Sequence, residues 1–427
     1  MIKGFFTGFI AFLLPFILFA QPKELVNYDY NYSDEIKTVI LRPLGFNNGF
    51  PITFLNSGQP LEMIFDDLNG DFTYYKYRIV QCDANWNPSS LNELEYLEGF
   101  NDQEIRDYAY SVNTRVVYTQ YVFSFPNDLV GVTKSGNYLI HVYKEEDNSP
   151  IITRRFVVSD QMFGISAEIV GDLRAGSVSE NQRIDLTISP KIKIIDPLTQ
   201  VRVAILKNGI WENKPLIAPK FVRNDKLLYD YINETSFPAG KEFRYLDLRS
   251  MRRPSFKVEN LERYDDRTEV FLRNDDITSR SGNIAYPDLN GSFIIESLDN
   301  TNDLMESDYC QVHFYLKAEA PLPNPVYVMG QFNEWGNNVS SEPMTYVPEK
   351  KYYTTTILMK QGYYDYFYAE KLKNGSFDHT NIEGNDYQTS NNYQIIVYYK
   401  GYGERYERVG QYWLLGVPSS GIYGGAK

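Results

Sequence analysis

The stretch YYKYRIVQC at residues 74–82 alternates. Tyr75, Tyr77 and Ile79 fall on one face of an extended chain, and Lys76 and Arg78 on the other. A period of two with aromatic and β-branched residues on the inner face marks a half-buried strand. The same reading extends to QYVFSF at 120–125, NYLIHVYK at 137–144 and IITRRFVVS at 151–159, with the polar connection EEDNSP between the last two. Short strands punctuated by turn residues predict an all-β fold of immunoglobulin-like sandwiches.

A chain of 427 residues exceeds one ordinary core, and roughly 100–200 residues per domain leads us to expect three sandwiches in tandem. The patterning places a first sandwich over residues 21–159. A middle one restarts with ISAEIVG and RIDLTISP and covers 160–305, and a third, of early-set type, covers 306–401. A tail, 402–427, follows, and its Gly- and Ser-rich end is expected to fray.

Residues 1–20 read as a signal peptide. Lys3 precedes an apolar core, residues 5–19, broken by Thr7, Gly8 and Pro15, and the small residue Ala20 stands before Gln21. The core is shorter than the roughly 20 residues that span a bilayer, and no later segment is apolar enough to do so. The expected product is an exported chain with no direct membrane span. Its formal net charge of -13, with no dense Lys/Arg run, argues against nucleic-acid binding.

Residues that carry chemistry are sparse. Cys82 and Cys310 lie in strand-like runs and are expected to be buried free thiols, a bridge between them in an exported chain being the alternative. His141, His313 and His379 lack neighbours at metal-ligand spacing. In DDLNGD, at 66–71, Asp67, Asn69 and Asp71 open like a calcium loop, but the Gly is misplaced and Arg78 stands where the bidentate Glu belongs, so a hairpin turn is expected. Asp265-Asp266 and Asp275-Asp276 read as solvated loops rather than a glycosidase pair. With no nucleophile elbow, phosphate loop or dinucleotide fingerprint, neither enzyme activity, nor a metal, nor a cofactor is expected. Aromatic contacts remain. Trp86 and Trp335 are expected to cap their own cores, whereas Tyr412, Trp413 and Leu414, in the tail, are candidates for contact with a partner.

Two longer resemblances sharpen this reading. Residues 41–100, from LRPLGFNNGF to LEYLEGF, and 118–143, YTQYVFSFPNDLVGVTKSGNYLIHVY, resemble the N-terminal domain of plug proteins of the Bacteroidota type 9 secretion system. Residues 381–410, NIEGNDYQTSNNYQIIVYYKGYGERYERVG, are similar to the end of that family, while the middle matches least clearly and the tail after Gly410 is longer than the family pattern. The resemblance implies a non-enzymatic periplasmic protein that binds the outer-membrane β-barrel translocon and closes its periplasmic opening.

VYVMGQFNEWG, at 326–336, resembles the opening of a glycogen-binding module. The alternative it implies is a periplasmic carbohydrate-binding protein with Trp335 stacked on glucose. Such modules also use a Lys and a second Trp, and the aligned positions here hold Phe367 and Phe377.

Overall fold

In the computed structural model, which describes residues 25–172, 174, 179–211, 215–300 and 304–416, the opening stretch forms the strand Tyr75–Cys82. Tyr75, Tyr77 and Ile79 are buried, and Lys76 and Arg78 are only partly covered. The expected signal peptide and the Gly/Ser-rich end lie outside the described residues. Nearly all regular structure is β, 46% strand against 4% helix, arranged as packed antiparallel sheets of the immunoglobulin-like kind.

The N-terminal lobe packs two sheets. One runs in the order Tyr30–Asn31, Pro150–Ser159, Gly136–Lys144, Tyr75–Cys82, Gln103–Glu104, and the other in the order Ile36–Pro43, Leu61–Asp67, Thr119–Phe125, Asp107–Tyr110. Their inner faces meet in a core that includes Phe65, Tyr121, Tyr138 and Phe156. Parallel rings at Phe65–Tyr121 and Tyr138–Phe156 explain where part of the high aromatic content goes.

The second half of the chain is nested rather than sequential. Phe163–Gly171, Asn181–Pro190, Phe221–Arg223 and Lys226–Tyr229 form one sheet of a middle lobe. The facing sheet is Val201–Lys207, Tyr393–Tyr399 and Arg408–Leu415, so the middle lobe is completed by strands near residue 400. Between these two parts lies a third lobe. Its sheets are built on Gly362–Lys371, paired with Arg244–Asp247 and Phe293–Ile295, and on Tyr309–Lys317, paired with Thr268–Leu272 and Tyr352–Lys360.

The expected boundaries at 305/306 and 401/402 therefore cut through sheets. Strands 244–247 and 293–295, expected in the middle sandwich, pair with 362–371. The expected tail carries a strand, Arg408–Leu415, that pairs residue by residue with Tyr393–Tyr399. Periodicity identifies a strand but not its partner, and the partner of 244–247 and 293–295 is remote in sequence.

Two local readings also find their outcome. Asn69 donates through its backbone N–H (3.0 Å) and side-chain amide (2.8 Å) to Asp67 Oδ1, so the segment is an Asx turn, but Leu61–Asp67 and Tyr75–Cys82 on either side of it lie in different sheets, and it connects the two sheets rather than closing the expected hairpin. Asp275, expected in a solvated loop, is buried. Lys257 Nζ lies 2.5 Å from it and Arg244 3.2 Å, and the Tyr366 and Tyr368 hydroxyls donate to it at 2.6 and 3.0 Å. Burial pushes its carboxyl up, but the two cations more than offset this and hold it below the usual carboxylate range.

Candidate interaction site at the three-lobe junction

The pair Arg154-Arg155 sits in the otherwise apolar strand Pro150–Ser159. Successive side chains on a strand point to opposite faces, so the two guanidiniums serve different neighbours. Arg154 forms a buried ion pair with Glu334 of the third lobe and donates to Asn31 Oδ1 at 2.6 Å. Burial raises the Glu334 carboxyl above its ordinary value, opposed by the Arg154 charge.

Arg155 faces the middle lobe. It is held by Asp29 through Nε and Nη2, at 3.1 and 2.9 Å, and lies over the rings of Trp86 and Trp211 at 5.5 and 5.3 Å. Trp86 and Trp211 meet edge to face at 4.7 Å. Phe50 lies 5.9 Å from Trp211 and stacks on Tyr412 at 5.7 Å. Trp86, expected to cap its own sandwich, is instead buried in a cluster between two lobes, along with Leu139, Val157, Ile396 and Tyr398.

A cleft of about 1010 Å³ opens where the three lobes meet. Phe50 comes from the first lobe, Trp211, Tyr412 and Leu414 from the middle one, and Gln331 and Trp335 from the third. The Trp335 ring lies against the bare backbone of Gly291, where a Cβ would stand 2.2 Å from its Cη2 and where φ is +83°. Phe243 and Phe367 flank the same ring at 6.1 and 6.2 Å. The turn that presents it forms as the sequence suggests. The Asn333 side chain accepts from Gly330 N–H at 3.1 Å and donates to Val328 O at 2.8 Å.

The three candidate partner residues separate. Tyr412 packs inside the cluster, Leu414 lines the cleft with 52% of its surface exposed, and Trp413, opposite Ile395 on an outer strand of its sheet, is 44% exposed. Trp335 lies on the cleft wall, packed among aromatic neighbours, remote in sequence from those three. Cys82 and Cys310 are free and buried, and burial pushes the Cys82 thiol up to about 12. Burial also lowers His141 and His379 to about 4, so both are neutral near pH 7. Among the described residues no group of three His, Cys, Asp or Glu side chains is placed to hold a metal ion. Among them, too, no helix is long and apolar enough to cross a membrane.

Comparison with known proteins bears on the family. Residues 36–160 match the model described as Type 9 secretion system plug protein 1st domain, the segment that forms the first lobe. That match supports a type 9 secretion system plug protein. The fold of the chain is similar to the crystal structure of a hypothetical protein from Parabacteroides merdae ATCC 43184. The two share 31% sequence identity and a TM-score of 0.87, over 92% of this chain and 100% of that one. No curated protein matches the chain. The matched domain supplies Phe50, Trp86, Arg154 and Arg155, so the plug-family lobe contributes one whole side of the junction.

Sequence reasoning passed over Trp211 and the Arg154-Arg155 pair. Trp211 lies in KNGIWENK, a polar stretch that reads as a loop. Two arginines inside an apolar strand were a visible signal, because an arginine buried in a sheet needs a partner.

Proposed function

We propose that this chain is a non-enzymatic plug. It is exported to the periplasm under the direction of residues 1–20, binds the outer-membrane β-barrel translocon of the type 9 secretion system and closes its periplasmic opening. The observation that carries the reading is the family match over residues 36–160.

The physical build supports it. A body that blocks a wide aqueous pore must resist deformation, and the three lobes are joined by buried contacts of two kinds. Asp66 of the first lobe meets Lys360 of the third at 2.6 Å, both fully buried, and an apolar cluster joins the first lobe to the middle one. Trp413 and Leu414, on an outer strand, offer an exposed apolar contact of the kind that anchors protein interfaces.

Isolation of the barrel from outer-membrane extracts tests the reading. The chain is expected to co-purify, and deletion of its gene is expected to admit large solutes that the intact outer membrane excludes. Absence from every barrel complex would refute it. The paired substitution Trp413→Asp and Leu414→Asp is expected to reduce recovery with the barrel at least tenfold while leaving the melting temperature within a few degrees.

A further inference from the structure

The middle lobe carries an exposed edge that the plug reading leaves unused. Its first sheet ends on the strand Phe221–Arg223, which turns through Asn224-Asp225 into Lys226–Tyr229 and, among the described residues, has no strand on its other side. The register Ile188–Leu227–Val222 sets the end of the strand Asn181–Pro190 level with that turn. The loop of residues 191–196 therefore starts beside the turn, and it leads into the one-turn helix Pro197–Gln200, which lies against the edge strand. Five large apolar side chains of these pieces meet water. Ile195 is 82% exposed, and Ile192, Leu198, Phe221 and Val222 are between 36% and 50% exposed. Single exposed apolar side chains are ordinary, but five gathered on one edge mark a contact surface.

Cations stand among them. Residues 191–200 and 220–230 hold Lys191, Lys193, Lys220, Arg223 and Lys226 against Asp196, Asp225 and Asp230, a local positive excess in a chain whose formal net charge is -13. Lys193, Arg223 and Lys226 are exposed and make no ion pair with a described residue. Lys191 and Lys220 donate through Nζ to the backbone oxygens of Gln161 and Asp230, at 3.1 and 2.7 Å, which leaves both charges without a carboxylate. Asp196 is occupied at the start of the helix, where it accepts from Thr199 Oγ1 at 2.8 Å. Fields in physiological salt decay over about 8 Å, so a partner that touches this edge meets its local charge rather than the net one.

The occupant such an edge fits is an anionic layer with an apolar layer beneath it. Lysine places a compact charge on a flexible stem, suited to many diffuse phosphates rather than to one planar carboxylate, and all but one of these cations are lysines. Their stems run beside apolar surface while the ammonium groups stay at headgroup level. Ile195 and Phe221 beside them then reach the acyl boundary, as apolar side chains of interfacial segments do.

We propose that residues 191–198 and the hairpin of residues 221–229 form a peripheral docking surface for an anionic phospholipid leaflet, with the lysines and Arg223 on phosphate headgroups and Ile195 and Phe221 inserted between them. The chain thereby rests on a membrane without spanning it. This goes beyond the translocon reading and needs no barrel, so either can fail without the other.

Vesicle flotation of the purified chain from Gln21 onward tests it. That form keeps every described residue and leaves out the apolar N-terminal run, which would bind lipid by itself. The probes are vesicles of phosphatidylethanolamine with phosphatidylglycerol and, for comparison, vesicles of phosphatidylcholine alone. The chain is expected to float with the anionic vesicles and not with the neutral ones. Combining Lys193→Glu, Arg223→Glu and Lys226→Glu is expected to lower the anionic partition coefficient by about tenfold or more, since each charge near such a surface contributes about fivefold. An unchanged melting temperature shows that this variant is folded. No flotation with anionic vesicles, or equal flotation of the parent and the charge-reversed variant, would overturn the proposal.

A second readout reports depth. Ile195→Cys is labelled with an environment-sensitive dye, and Glu349→Cys, exposed on the third lobe, carries the same dye as the control; the native thiols are buried and stay unlabelled. Anionic vesicles are expected to shift the emission at position 195 to the blue and leave the control unmoved. Flotation with no shift, or with a shift at both positions, would remove the inserted edge. A polyglutamate column that retains the parent while vesicles do not would reassign the edge to an acidic protein and overturn the lipid surface.

Discussion

The first lobe meets its two neighbours by different physics. Against the middle lobe it presents Leu139 and Val157 to Ile396, Tyr398 and Val409, an apolar contact in which every one of these side chains is buried. Against the third lobe it presents charge. Asp66 lies 2.6 Å from Lys360, accepts from Tyr309 at 2.7 Å and from Gln120 at 3.0 Å, and the Lys360 ammonium sits 4.0 Å from the Tyr118 ring centroid. Burial pulls that ammonium below its ordinary value while Asp66 pushes it back. Apolar burial is non-directional and stabilises in proportion to area. A buried ion pair contributes little net stability, because desolvation offsets attraction, but it is costly to leave half-made. The first contact holds the lobes together, and the second fixes how they sit.

The largest expected effect breaks the polar side. Lys360→Met leaves Asp66 buried without its cation and is expected to cost about 3–5 kcal/mol in urea unfolding. Adding Asp66→Asn, which removes the uncompensated charge and keeps one carbonyl oxygen to accept from Tyr309, is expected to restore most of that loss. If the double variant is no more stable than Lys360→Met, the pair is not the unit that matters. On the apolar side Ile396→Ala is expected to cost about 3 kcal/mol, the transfer term plus the cavity, and no second substitution in the first lobe should restore it unless it refills the volume. A loss below about 1 kcal/mol would mean that the two lobes re-pack freely across this face.

A smaller, pH-dependent effect lies inside the third lobe's edge of the junction. Glu242 accepts from Ser390 N–H at 3.1 Å through one oxygen, while its other oxygen is buried without a partner. Burial raises its carboxyl to about 7 from the ordinary 4.5. The folded chain therefore keeps a proton that the unfolded chain has released. The contribution favours folding below pH 4.5 and is lost as the pH rises from 4.5 to 7, at about 1.4 kcal/mol per unit of difference. Neutral His141 and His379, lowered to about 4, slope the other way over an overlapping range, so the measurement is a difference. Between pH 5 and 7.5 the stability of Glu242→Gln minus that of the parent should grow. A flat difference would show that Glu242 titrates normally.

The strands were legible where one face is buried and the other wet, as in residues 74–82, because the pleat writes that contrast directly into the sequence. The matched first lobe was legible by resemblance over long segments. What sequence concealed were the pairings that close the structure. Glu334 lies 180 residues beyond Arg154, and Lys360 nearly 300 beyond Asp66. Asp275 read as solvated because its neighbours, Asn274 and Asp276, are polar, while Arg244, Tyr366 and Tyr368, which bury it, are distant in sequence. The junction cleft drew its walls from all three lobes for the same reason, and no single window of sequence contains it.

The smallest effect on stability is expected at Trp413, and it separates what holds the lobes from what they offer outside. Trp413 stands on the strand that carries Tyr412 into the interlobe cluster, yet it is 44% exposed and has no ring partner among the described residues comparable to Phe50 on Tyr412. Tyr412→Ala removes a stacked ring from a packed junction and is expected to cost about 3 kcal/mol. Trp413→Ala removes a half-exposed ring and is expected to cost under about 1 kcal/mol. Under the plug reading the order reverses for recovery with the barrel, where Trp413→Ala should lose more than any stability change explains, since exposed aromatic anchors carry interface energy out of proportion to their area. Equal recovery of Trp413→Ala and the parent would remove this strand from the contact surface and leave the junction's role purely internal.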